Sequence, residues 1–261
     1  MIEKIGTAYE LPFEVRCTPG HVFSSGGDVS VVVSFLPGPP PDLNLIAEIL
    51  GAFAGLGMTG AFAGAEIEPW NSELKLGEAS GSLRLTNKFD FSFCMADEWA
   101  LSVLTQLFTA KRAALSLKSL EISAAGREAT VKLRHIPDLS STLPPVFARI
   151  PFLLIDEEPE SGGYTFTAEL QSPVLPKHQE YLEGALKFWT MVVRRGGYEM
   201  APIPPEESFV ELFVDRVIVF GATVEWTILK LRADPDCING VVNIFAAFHY
   251  RCQPLISLSI S

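Results

Sequence analysis

Residues 41–64 read PDLNLIAEILGAFAGLGMTGAFAG, and this stretch admits three incompatible readings. Ile49 to Ala65 carries no charge, and its glycines Gly51/Gly55 and Gly60/Gly64 repeat as GxxxG, the pattern by which membrane helices approach closely. Gly55-Leu-Gly57-Met-Thr-Gly60 also matches GxGxxG, the dinucleotide-binding fingerprint. The third reading is a helix packed inside a globular fold. A second stretch, residues 176–198, PKHQEYLEGALKFWTMVVRRGGY, decides among them, because Pro41 aligns with Pro176 and Phe53 with Phe188 at one constant offset. The copy is amphipathic. Lys177, His178, Glu180, Glu183, Lys187 and Arg194 alternate at helical spacing with an apolar stripe of Tyr181, Leu182, Ala185, Leu186, Trp189, Val192 and Val193. GxGxxG further requires a helix that starts at its first glycine, whereas Pro41 and Asp42 open this helix far upstream. Residues 41–64 are thus expected to be the more buried member of a pair of helices.

The repeat extends on both sides. YELPFEVRC and DVSVVVSFL precede the first helix as FARIPFLLID and YTFTAEL precede the second, with Leu11-Pro12-Phe13 matching Ile150-Pro151-Phe152. Downstream, Glu73 to Leu76 and Ser82 to Phe93 correspond to SFVELFVD and VIVFGATVEWTILKL, with Phe89 and Phe91 falling on Val224 and Trp226. A second helix then follows in each half, DEWALSVLTQLFTAKR from Asp97 and DPDCINGVVNIFAAFHYR from Asp234-Pro235. Each half closes on a strand, SLKSLEIS and PLISLSIS. The expected fold is α+β: two tandem ferredoxin-like (β-α-β-β-α-β) units with an extra N-terminal strand each, a pseudo-twofold duplication. Its divisions are 1–123, a linker at 124–147 with an extra strand in EATVKLRHI, and 148–261.

Composition narrows the function. A chain of 261 residues with 48% hydrophobic residues buries real cores, and 31 acidic against 20 basic residues give a formal charge of −11. Such a chain repels nucleic acid and anionic membranes unless a basic patch intervenes, and only the isolated pairs Lys111-Arg112 and Arg194-Arg195 occur. Cys17, Cys94, Cys237 and Cys252 are too scattered for a CxxC or a zinc site, and the N-terminal residues lack the apolar run of a signal peptide, so a cytoplasmic setting is expected.

Candidate chemistry is sparse. His21, His135, His178 and His249 share no helix face or strand, no HExxH or GxSxG motif is present, and Asp156, Glu157, Glu158 and Glu160 form a solvated acidic run. Positions matched between the halves are apolar, capping or turn residues. The sequence therefore points to a non-catalytic acidic protein, without cofactor or metal, that recognises another macromolecule in the manner of an inhibitor or immunity protein. The rival expectation is an enzyme or ligand-binding protein with a pocket between the units. The residues singled out are Phe53, Gly55, Gly57, Gly60, Phe188 and Trp189, expected to form a close helix contact within the chain or with a second copy.

Overall fold

The computed structural model describes residues 10–17, 27–39, 41–62, 75–76, 86–93, 98–124, 131–135, 150–157, 163–198, 212–231 and 237–261. They form a mixed α+β fold with two sheets and five helices. The first sheet contains β1 (Glu10–Cys17), β2 (Gly27–Phe35), β3 (Lys75–Leu76), β4 (Thr86–Phe93), β5 (Leu117–Ala124) and β6 (Val131–His135), in the order β3-β4-β2-β5-β1-β6. The second contains β7 (Leu153–Asp156), β8 (Tyr164–Leu170), β9 (Leu212–Val214), β10 (Ile218–Phe220), β11 (Thr223–Leu231) and β12 (Leu255–Ile260). Its order is β10-β11-β8-β12-β7, with β9 also on β11. In both sheets one pair is parallel, β1 with β5 and β7 with β12, and every other pair is antiparallel.

Alternation decides which way each strand faces. In β8, Phe166, Ala168 and Leu170 are buried while Thr165, Thr167 and Glu169 are not; in β2, Val31, Val33 and Phe35 are buried. The buried faces receive the helices α1 (Leu43–Met58), α2 (Glu98–Ala110), the short α3 (Arg112–Leu115), α4 (Pro176–Arg194) and α5 (Ile238–Arg251). Phe166 of β8 stacks on Phe245 of α5, and Trp226 of β11 meets Trp189 of α4 edge-on at 5.6 Å. Residues 102–109 of α2 are buried all round the helix, polar Ser102, Thr105, Gln106 and Thr109 included. Thr109 returns its hydroxyl to the Thr105 carbonyl, which removes one of those polar groups from competition with the core. One apolar cluster runs through both halves of the chain.

Several expected boundaries move. The helix foreseen over 41–64 begins as expected at Asp42, whose Oδ1 accepts the backbone N–H groups of Asn44 and Leu45, but it stops at Met58. Thr59 occupies the cap, and Gly60 turns left-handed at φ 90°, donating its N–H to the Gly57 carbonyl. Gly60 therefore ends the helix instead of lying within it, and Gly64 falls outside the described residues. The second helix of the first half breaks at Lys111 into α2 and α3. Its counterpart α5 begins at Ile238, later than Asp234-Pro235, which lie outside the described residues. The run VIVFGATVEWTILKL is not one strand: Gly221, at φ 61°, folds it into the hairpin β10-β11. The extra strand in the segment 124–147 is β6, which joins the first sheet beside β1.

Candidate interaction surface

Of the six residues singled out in the sequence, Gly55 and Phe188 meet where α1 packs on α4, and Gly60 approaches α5. Phe53 is fully buried, its ring 5.2 Å from that of Phe62. Gly55 faces Phe188 of α4, whose ring occupies the space a β-carbon would need. Trp189 is fully buried and its indole N–H donates to the Cys237 carbonyl at 2.9 Å, so the ring contributes apolar area without an orphaned donor. Gly57 is buried within the last turn of α1. Gly60 looks at α5: a β-carbon there would stand 2.6 Å from that of Ala247. Around it Asn243 Nδ2 donates to the Ala61 carbonyl and Arg251 Nη1 to the Met58 carbonyl, both at about 2.8–2.9 Å. Arg195 reaches Glu48 of α1 at 3.3 Å. Side chains fill this seam.

The two histidines with described side chains, His178 and His249, serve separate contacts. His178 Nδ1 lies 3.1 Å from Gln253 Oε1, and Gln253 Nε2 in turn donates to the Ser172 carbonyl and hydroxyl and to the Pro173 carbonyl. This ties the start of α4 to the turn after α5. His249 Nδ1 accepts the Leu255 N–H, and burial holds its pKa below the ordinary histidine value. Burial also raises Cys252, keeping it a thiol, and Tyr164, keeping it a phenol. His135 stands opposite Glu10 in the β1-β6 register; its side chain and all of His21 lie outside the described residues. Among the described residues no three His, Cys, Asp or Glu side chains are grouped to hold a metal.

The outer faces of the two sheets differ in composition. On the second, the ladder sets Ile155, Ser259, Thr167, Glu225 and Ile218 side by side across five strands, and Leu153, Ser257, Glu169, Thr223 and Phe220 beside them. The floor is short Ser and Thr side chains, with Thr165 and Thr227 hydroxyls 3.5 Å apart and Ser257 donating to Glu169. Its two margins are apolar and exposed, Leu153 at 62% on one side and Phe220 at 68% on the other. The charges on this floor, Glu169 and Glu225, are both acidic. The first sheet differs: Glu14 pairs with Lys132 at 3.8 Å, and the register places Arg16 beside Glu121. Polar residues at every second place, Thr165, Thr167 and Glu169 in YTFTAEL and Thr223, Glu225 and Thr227 in TVEWTIL, mark β8 and β11 as strands in the sequence. What that pattern withholds is which strands flank them, and hence the face they build together.

Neither known family models nor curated proteins match this chain. Among solved structures it is similar to a DyP-type peroxidase from Cellulomonas bogoriensis, at 11% identity and a TM-score of 0.21 over 98% of this chain and 94% of that one. At that score the likeness bears on neither fold nor activity. Among the described residues no helix is long and apolar enough to cross a membrane.

Proposed function

We propose that the chain is a non-catalytic binding protein of duplicated, ferredoxin-like architecture that holds another protein on the outer face of its second sheet. The broad polar floor between two exposed apolar margins carries this reading. Short hydroxyl side chains leave room for a partner's side chains, the margins offer apolar area, and the two carboxylates favour a partner with cations. The net charge of −11 makes nucleic acid an unsuited occupant.

The duplication is supported by register. The orders β3-β4-β2-β5-β1 and β10-β11-β8-β12-β7 run in parallel, and without β1 and β7 each is the strand order of a ferredoxin-like unit. Val31 opposes Ile122 as Phe166 opposes Ile260, and Val15 opposes Leu120 as Leu154 opposes Leu258. One match changes. Phe89 lies opposite Val31 and Trp226 opposite Phe166, so Phe89 corresponds to Trp226, two residues beyond the Val224 that the sequence alignment selects. Helix ends agree as well, Gly60 at φ 90° and Gly196 at φ 85°.

Affinity capture from the native lysate, with the intact protein and with a Thr167→Arg/Glu225→Lys variant as baits, tests the reading. A stoichiometric partner retained by the first and lost by the second is the expected result, and its association should slow as salt screens charges beyond about 8 Å. Equal retention by both baits would overturn the assignment of this face.

A further inference from the structure

We infer that the exposed edge of β7 is a strand-addition site that takes an extended, cation-bearing protein segment running antiparallel to it. The inference rests on the reading that the second half carries the partner, and narrows it from a face to a backbone contact.

The first half supplies the precedent. Its corresponding strand, β1, is paired on one side with β5 and on the other with β6, an antiparallel segment of sequence VKLRH in which apolar and basic residues alternate. Val131 opposes Cys17 and Lys132 opposes Arg16. In the second half β7 pairs with β12, and no described strand lies on its other side. Glu157 donates its N–H to the Ile260 carbonyl, so by the two-residue repeat of a strand the backbone groups of Leu154 and Asp156 point away from β12. Those are the donors and acceptors that an added strand uses. The side chains beside them are apolar and open: Leu153 is 62% and Ile155 38% exposed.

Charge selects the occupant. By register Asp156 takes the place of Cys17, and Glu157 follows it. A long bare edge invites indiscriminate pairing, and natural edges are commonly guarded by lysine; the described end of this one carries the carboxylates of Asp156 and Glu157. An antiparallel segment lays its first residues against that end, so the fitting segment alternates apolar and polar residues and carries cations at its start.

A labelled peptide, KKTVKLRHI, which is the β6 segment with two lysines ahead of it, can be titrated by fluorescence anisotropy into the full-length protein. Binding is expected, together with slowed hydrogen exchange at the Leu154 and Asp156 amides. Asp156→Pro removes one outward N–H and should weaken binding at least tenfold, whereas Asp156→Asn keeps the N–H and should lose only a few-fold. Should Asp156→Pro fail to fold, the same peptide N-methylated at alternate residues blocks the ladder from the other side and should lose binding to the unaltered protein. Equal binding by Asp156→Pro, by the N-methylated peptide or by the charge-reversed EETVELEHI overturns the inference, as does absence of binding. A Thr167→Arg/Glu225→Lys protein that still takes the peptide but loses its native partner would separate the edge from the face.

Discussion

The two sheets repeat one strand order and treat their surfaces differently. The first closes its β1 edge with β6 and neutralises its outer face with charges of both signs, Glu14 on Lys132 and Arg16 beside Glu121. In the second no described strand lies beyond β7, and Ser, Thr and two glutamates stand on its outer face. A scaffold tolerates replacement on a solvated face within a few tenths of a kcal/mol, whereas a core position must keep its volume. The lesson is that function in a repeated fold is sought where the halves disagree.

Matched phenylalanines give the largest expected contrast. Phe53 is fully buried and Phe188 is 36% exposed over Gly55, so Phe53→Ala should cost roughly 3–5 kcal/mol and Phe188→Ala roughly 1. Denaturant melts of both variants read the difference directly. Equal losses would mean that α1 and α4 share their burden and that the halves are less distinct inside than their exposures indicate.

Next come the helix-ending glycines. Both are left-handed, which costs an alanine about 1–2 kcal/mol, but a β-carbon at Gly60 also meets Ala247 at 2.6 Å. Gly60→Ala should therefore destabilise more than Gly196→Ala by about 1 kcal/mol or more, measured by thermal or denaturant unfolding. The reverse order would remove the contact with α5 from the account.

A smaller effect belongs to His249. Its folded pKa lies below the ordinary value near 6.5, so the unfolded chain takes up the proton more readily. Its contribution to stability is complete above about pH 6.5 and is lost as pH falls through that value toward the folded pKa. The melting temperature should drop between pH 7.5 and 5.5, and His249→Gln, with an amide able to accept the Leu255 N–H, should flatten that drop; an unchanged slope would assign it elsewhere.

Much of this architecture is legible in the sequence because its signals are local. Alternation in YTFTAEL gives β8 at both ends, and Asp42 marks the start of α1 through its short acceptor side chain. Other features are not local. That Gly60 ends a helix depends on a positive φ, which glycine permits without announcing, and the uncharged run through Phe62 reads as a continuing helix. β6 is visible as a strand within the segment 124–147, but its place beside β1 is a long-range pairing. The registry of Phe89 with Trp226 depends on the cross-strand partners Val31 and Phe166, which lie in other elements. For the same reason the outer face of the second sheet, assembled from five separated segments, is not written in any one of them.

The bonds from Asn243 to the Ala61 carbonyl and from Arg251 to the Met58 carbonyl bear on how the chain reaches its folded state. These carbonyls lie at and just beyond the end of the first long helix, and side chains nearly two hundred residues later satisfy them. Contacts of such sequence separation form late, after a costly loop closure. A fragment ending near residue 123 would present those carbonyls to solvent together with the buried faces of α1 and α2, and should expose enough apolar surface to bind ANS. Calorimetry of the intact chain should then record one transition with equal van't Hoff and calorimetric enthalpies, the signature of a single cooperative unit.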